Sequence, residues 1–191
     1  MILGITGTDG AGKGTVVDYL VNDKQFVHYS ARAIWEEEIE RRSMESNRAN
    51  MRLVANDLRA EHGYDYSVTY YLDKIAAEKP ARAVIESQRA IKEVETLKAA
   101  GGILLAVDAK QQLRYERITS RGSATDHISF ETFCEQEALE MDDPDPAGMQ
   151  KATVMEMADF TLTNNGELEA LHEQIDGVLE QIATAAQMQS Q

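Results

Sequence analysis

The chain has one cysteine, three prolines and one tryptophan in 191 residues, and no apolar run approaches the length needed to cross a bilayer. A single thiol, Cys134, excludes an intrachain disulfide framework and suits a reducing compartment. In "FETFCEQEALE" it reads as a small packing residue, not a nucleophile. Met1 leads straight into a strand-like segment with no basic and apolar leader pattern, so the expected location is the cytoplasm, away from membranes. Positive charge is also scarce. Nineteen Lys and Arg face 33 Asp and Glu, a net charge of −14 and a pI near 4.7. That balance weighs against wrapping nucleic acid, which wants a basic face, although a local basic cleft could survive the average. Metal-ligand spacing is missing too: His28, His62, His127 and His172 are scattered, and Asp142, Asp143 and Asp145 alternate with prolines as a turn and helix start would.

What is present is ordinary globular composition, 43% hydrophobic and 27% charged, enough for one domain with a sizeable core. Four apolar runs, "ILGIT" (2–6), "AVIE" (83–86), "ILLAV" (103–107) and "FTLT" (160–163), lack polar alternation and read as strands covered on both faces; "FVHYS" (26–30) is a fifth. Helical patterns separate them over 13–23, 32–78 (two or more helices), 88–100, 109–120, 129–140, 147–157 and 167–186. Gly101-Gly102 marks one helix end, and Asp145-Pro146 marks a start. Strand followed by helix, repeated along the chain, predicts an α/β fold around an open parallel sheet.

Ligands of such sheets bind beyond the carboxyl ends of the strands. There "ILGIT" runs into "GTDGAGKGT", and Val16, Val17, Leu20 and Val21 then follow helical spacing. Strand, glycine loop and helix are the context of a phosphate cradle. Gly7, Gly10 and Gly12 allow backbone turns that bring N–H groups to an anion. The new helix turns its positive end to the same place. Lys13 adds a mobile charge. The pattern G-x-x-x-x-G-K-[ST] is met at Gly7, Gly12 and Lys13, but Gly14 occupies the last position and Thr15 carries the hydroxyl one step later.

This variant, G-x-x-G-x-G-K-G-T, resembles the loop of adenylate kinase and other nucleoside monophosphate kinases. The resemblance implies a P-loop three-layer fold with a five-stranded parallel sheet, ATP as phosphoryl donor, and Mg²⁺ held largely by nucleotide and water. On that plan Gly7, Asp9, Gly10, Ala11, Gly12, Lys13, Gly14 and Thr15 bind the nucleotide. Three further stretches bear on it. "AVIESQRAI" (83–91) is similar to the "D-G-F-P-R" segment of these kinases, with Glu86 as the acid that orients the Mg²⁺ shell and Arg89 gripping the acceptor phosphate. "LRYERITSRG" (113–122) looks like their arginine helix and short lid, which makes Arg117 and Arg121 catalytic candidates. For Arg114, pairing with a neighbouring acid is an equal alternative. "FVHYSARAIWEEEIERR" resembles the entry to their acceptor region and nominates Ser30 and Arg32. Arg59 joins them from a lysine-free stretch that holds arginines at 32, 41, 42, 48, 52 and 59. Tyr64, Tyr66, Tyr70 and Tyr71 could stack on a base, with aromatic packing the simpler role; Trp35 reads as core.

"MADFTLTNNGELEALHEQI" is similar in form to the "I-x-N-x-G-x-x-E-x-L" ending of dephospho-coenzyme A kinases, which implies Asn165 and Gly166 near the purine. The implied organisation is one kinase domain: a core of 1–30, 79–119 and 129–186, an acceptor-binding helical region at 31–78, and a lid at about 120–128. The implied activity is transfer of the γ-phosphoryl group of ATP to a nucleoside monophosphate, perhaps a deoxynucleotide, by a monomer or homodimer. A 3′-hydroxyl acceptor, with Asp9 as candidate base, and a regulatory ATPase are the alternatives.

Overall fold

A computed structural model describes residues 1–120, 129–141 and 150–189. Five strands form one parallel sheet: Ile2–Gly7 (β1), Val27–Ser30 (β2), Ala83–Glu86 (β3), Ile103–Asp108 (β4) and Phe160–Thr163 (β5), in the order β2-β3-β1-β4-β5. β1, β3 and β4 lie in the middle and are apolar along their length because helices cover both of their faces. The expectation of two covered faces fails for β5, where Thr161 and Thr163 are exposed. It is an edge strand with a neighbour on one side only. β2 forms the other edge, with Val27 and His28 exposed.

Successive strand residues feed opposite faces. Leu3, Ile5, Val84, Leu105, Val107 and Leu162 pack beneath helices Lys13–Asn22 (α1) and Leu168–Gln189 (α9). Ala83, Ile85 and Leu104 pack on the other face, against Ala31–Arg41 (α2), Arg48–His62 (α3), Tyr66–Glu78 (α4), Ile91–Ala99 (α5) and Lys151–Glu156 (α8). Gln111–Ser120 (α6) and Phe130–Met141 (α7) complete the helices. Trp35 is buried in the second core. Tyr70 packs at a tilt against Tyr66 and in a T-shape with Tyr71, while Tyr64 is exposed. Cys134 is half-buried.

The helix stop at Gly101-Gly102 is made by Gly102 N–H donating to Leu97 O at 3.0 Å. The helix expected from residue 147 is described only from Lys151, with Gln150 outside it at φ −109 and ψ 53. Its expected start at Asp145-Pro146 lies outside the described residues, as do all but Ser120 of the expected lid (about 120–128), Arg121, His127, Asp142 and Asp143. Among the described residues no helix is long and apolar enough to cross a membrane.

Candidate active site

The register brings Ile5 beside Glu86 and Gly7 beside Val107, so β1 releases the glycine loop between the ends of β3 and β4. Gly7, Gly10 and Gly12 have φ of +141, +80 and +100. Space demands glycine as strongly as conformation does. A Cβ at Gly7 would sit 2.0 Å from Val107 O, and one at Gly10 2.5 Å from Arg114 O. At Gly12, the N-cap of α1, it would sit 2.3 Å from Asn164 Nδ2. Gly12 supplies no side-chain cap, which leaves the first-turn amides of α1 for another acceptor. A Cβ at Gly14 would meet nothing, so the missing hydroxyl there is not a steric requirement.

Lys13 Nζ donates back to Gly7 O at 3.0 Å and Thr8 O at 2.9 Å, and lies 3.4 Å from Asp9 Oδ1. Burial lowers the pKa of this ammonium, with Arg89 and Lys151 adding to the effect and Asp9 opposing it. For Asp9, burial pushes the pKa up, but Lys151 and Lys13 outweigh it and hold the carboxyl well below the ordinary carboxylate range. Lys151 Nζ is 2.9 Å from Asp9 Oδ2, is also bonded to Glu140, and is itself buried. Arg114 is buried as well. It pairs with Glu137 (Nη2 to Oε2 2.9 Å) and donates to Ala109 O at 2.8 Å and Asp9 O at 3.3 Å, so the paired alternative describes it. Glu137 and Glu140 of α7 thus anchor the two buried cations that flank Asp9.

Glu86 ends β3 with Oε2 3.0 Å from His28 Nε2. This bond, helped by the charges of Lys13 and Arg89, lowers the Glu86 pKa against the upward push of burial. The chain then turns sharply. Ser87 sits at φ +72, and the Ser87 and Gln88 N–H groups both donate to Ile5 O. Thr6 Oγ1 donates to Gln88 O at 2.9 Å. Arg89 and Ala90 N–H donate to Oε2 of buried Glu93 at 2.7 and 3.1 Å, while Oε1 accepts from Ser67 of α4 at 2.8 Å. Arg89 lies close enough for its charge to act on Asp9, Lys13 and Glu86 alike.

On the opposite side of the loop, Asn164 Nδ2 donates to Ala11 O at 2.8 Å and Arg117 Nη2 lies 3.5 Å from Asn164 Oδ1. Asn165 Oδ1 accepts from Lys110 N at 2.7 Å, joining the turns after β4 and β5; Gly166 faces open space. Thr8 Oγ1 donates to Asp108 Oδ1 at 2.7 Å.

The loop, Lys13, Glu86, Arg89 and Arg117 therefore meet at one end of the sheet. Ser30 ends β2 in register with Glu86, and its carbonyl accepts from Tyr71 Oη at 2.6 Å. Arg32 and Arg59 are engaged elsewhere: Arg32 is exposed and bonded to Glu36 at 2.7 Å, and the Arg59 guanidinium lies over Trp35, 5.5 Å from the ring centre. Arg41 and Arg42 share Glu38 and, for Arg42, Asp57. Sequence reasoning missed Lys151, Asn164, Glu93 and Thr8. Lys151 had one signal, as the sole lysine after Lys110; Asn164 stood one place before the asparagine that was chosen. Among the described residues no group of three His, Cys, Asp or Glu could hold a metal ion.

Residues 3–145 match the model of the AAA domain family. A UPF0200 protein of Pyrobaculum aerophilum is 30% identical over 182 residues, 93% of this chain and 96% of its own. Among solved structures, shikimate kinase from Bacteroides thetaiotaomicron superposes with a TM-score of 0.60 at 14% identity, covering 94% of this chain and 98% of that one. Dephospho-CoA kinase from Campylobacter jejuni gives 0.58 at 14% identity, with coverage of 97% and 98%. The five-stranded parallel sheet with its glycine loop is a P-loop kinase-like fold.

Proposed function

The chain belongs to the AAA domain family of P-loop proteins and to the UPF0200 proteins, and we propose that it transfers the γ-phosphoryl group of ATP to the phosphate of a nucleoside monophosphate. The observation that carries the reading is geometric: β1 releases the glycine loop between the ends of β3 and β4, with Lys13 folded back on Gly7 O and Thr8 O and Arg89 three residues past Glu86, the end of β3. One lysine serves a donor phosphate; the additional positive charge suits a second anionic group beside it.

In this reading an oxygen of the acceptor phosphate attacks the γ-phosphorus, the bond from that phosphorus to the bridging oxygen breaks, and ADP leaves. The acceptor is already ionised, so no base is needed. Lys13 and Arg117, with Arg121, stabilise the equatorial charge. The amides of 7–15 hold the donor phosphates, and Asn165 and Gly166 lie toward the base. Arg89 holds the acceptor phosphate, with helices α2–α4 and Ser30 forming the acceptor side; Arg32 and Arg59 would join it on leaving Glu36 and Trp35. Lys13 must leave the carbonyls of Gly7 and Thr8 to reach a phosphate, and those bonds keep it close by until then. Glu86, whose pKa the His28 bond lowers, would help to place a divalent cation carried chiefly by the nucleotide, and the Thr15 hydroxyl would meet a donor phosphate. Bound there, Mg²⁺ would neutralise phosphate charge.

A hydroxyl acceptor would need a base, and Asp9 suits that role poorly because Lys151 and Lys13 hold its carboxyl so acidic. The Glu86–His28 pair would have to serve instead. The test is ADP release from MgATP against a panel of ribo- and deoxynucleoside monophosphates plus dephospho-coenzyme A. Strong stimulation by one monophosphate is expected, with nearly all turnover lost in a folded Lys13→Ala variant. Stimulation by dephospho-coenzyme A alone would move the reading to the hydroxyl acceptor. Steady hydrolysis that no acceptor changes would make the protein a regulatory ATPase.

A further inference from the structure

Asn164 sits where three elements meet, and the mechanism above gives it no task. Its backbone N–H donates to Asp108 O at 2.8 Å, fastening the end of β5 to the end of β4. Its side chain is buried beside the glycine loop, and each end of the amide has a distinct duty. Ala11 O is an acceptor, so the group facing it must be the Nδ2 amide. The orientation of the side chain is thereby settled, and Oδ1 is turned toward Arg117 Nη2 at 3.5 Å. The other terminal nitrogen of that guanidinium, Nη1, is buried and has no hydrogen-bond partner among the described residues. A buried charged donor without a partner is costly unless something supplies an acceptor. The loop beside it is built to receive anionic oxygens.

We infer that Asn164 is a positioning residue: it steers the Arg117 guanidinium so that Nη1 meets the outermost phosphate of a bound nucleoside triphosphate, making the site prefer triphosphate over diphosphate. The inference rests on the nucleotide reading of the glycine loop. Asparagine is the side chain that does this at this place. Aspartate would still accept from the guanidinium but would set a second acceptor against Ala11 O and lose the bond that fixes the side chain to the loop, and leucine would satisfy neither neighbour. Gly12 belongs to the same arrangement, because a side chain there would strike Nδ2.

The experiment is calorimetric titration of MgATP and MgADP into the wild-type protein, Asn164→Ala, Arg117→Ala and the double variant, with thermal melts of each. Loss of a charge-assisted hydrogen bond predicts that Arg117→Ala weakens ATP binding about 10- to 100-fold and leaves ADP within about 3-fold. Asn164→Ala should lower the ATP-over-ADP preference about 3- to 10-fold, and the double variant should do no worse than Arg117→Ala, the signature of residues acting as one unit. Should Asn164→Ala fail to fold, Asn164→Ser and Arg117→Lys carry the same comparison. Equal losses for ATP and ADP, or additive losses in the double variant, overturn the inference while the nucleotide reading stands. A wild-type protein that binds neither nucleotide overturns both.

Discussion

Replacing Lys151 by methionine tests whether its charge, and not merely its stem, braces the glycine loop. Lys151→Met keeps the length of the side chain and most of its apolar packing, and removes the ammonium that lies between Asp9 and Glu140. The lysine side chain is 5% exposed, while the two carboxylates are 45% and 37% exposed. Removing one partner of a fully buried ion pair costs about 3–5 kcal/mol, and a fully exposed pair is worth about 0–1 kcal/mol. With one side of the arrangement dry and the other open to water, the cost should fall between these limits, about 1.5–3 kcal/mol at pH 7. For a protein of this size that is a fall in Tm of about 3–12 °C. Urea unfolding followed by circular dichroism measures the first quantity and a thermal melt the second. A carboxyl titration by NMR adds an independent reading: Asp9 should titrate higher in Lys151→Met, because the strongest influence opposing its burial is gone. Stability within about 0.5 kcal/mol of wild type, the scatter of ordinary surface substitutions, would refute the reasoning. So would an unmoved Asp9.

Two other substitutions read different parts of the same end of the sheet. Ser87 is held at φ +72, which costs a residue with a Cβ about 1–2 kcal/mol. Ser87→Gly removes that strain, less about 0.4–1 kcal/mol for the freer unfolded chain, so a net gain of about 0–1.6 kcal/mol in urea unfolding is expected; destabilisation would show that the Ser87 side chain contributes more than its backbone costs. For Glu86, the His28 bond depresses the folded-state pKa. Its contribution is therefore complete above the ordinary glutamate value of about 4.3 and is lost as pH falls through the depressed value. In His28→Gln, the Glu86 midpoint should rise and the acid limb of the stability profile should flatten; an unshifted midpoint would assign the depression to Lys13 and Arg89 instead.

How much of this was legible in the sequence depended on how far apart the cooperating residues lie. The central strands could be read because Leu3, Ile5, Val84, Ile85, Leu104 and Leu105 are apolar on both faces, a local pattern. The loop could be read because Gly7, Gly10 and Gly12, its three positive-φ positions, fall within six residues. Edge status could not, since "FTLT" is edge or centre according to which strands flank it. Lys151 looks like a solvated residue in "GMQKATVMEMAD" until the fold brings it to Asp9, 142 residues away, and to Glu140. Glu93 reads as an ordinary helix acid, although its carboxylate is spent on the N–H groups of Arg89 and Ala90 and on Ser67. Arg32 is nominated by the resemblance of "FVHYSARAIWEEEIERR" and Arg59 by a lysine-free stretch of arginines, and neither signal carries spatial information. Their nearest partners, Glu36 and Trp35, are the kind that a helix surface supplies to any arginine.

The bond from Asn164 to Ala11 O also orders events in time, because it joins residues 153 positions apart. A ribosome adds about 5–20 residues per second, so the glycine loop is made about 8–30 s before the amide that fastens it. For that interval the emerging chain carries every glycine and the lysine of the cradle without its brace. β4 in turn lacks its outer neighbour, because β5 is also still to come. Tight nucleotide capture should thus be a late event in synthesis, arriving with the last strand and not with the loop. Chains halted before residue 164 should hold ATP weakly, however completely their first half is written.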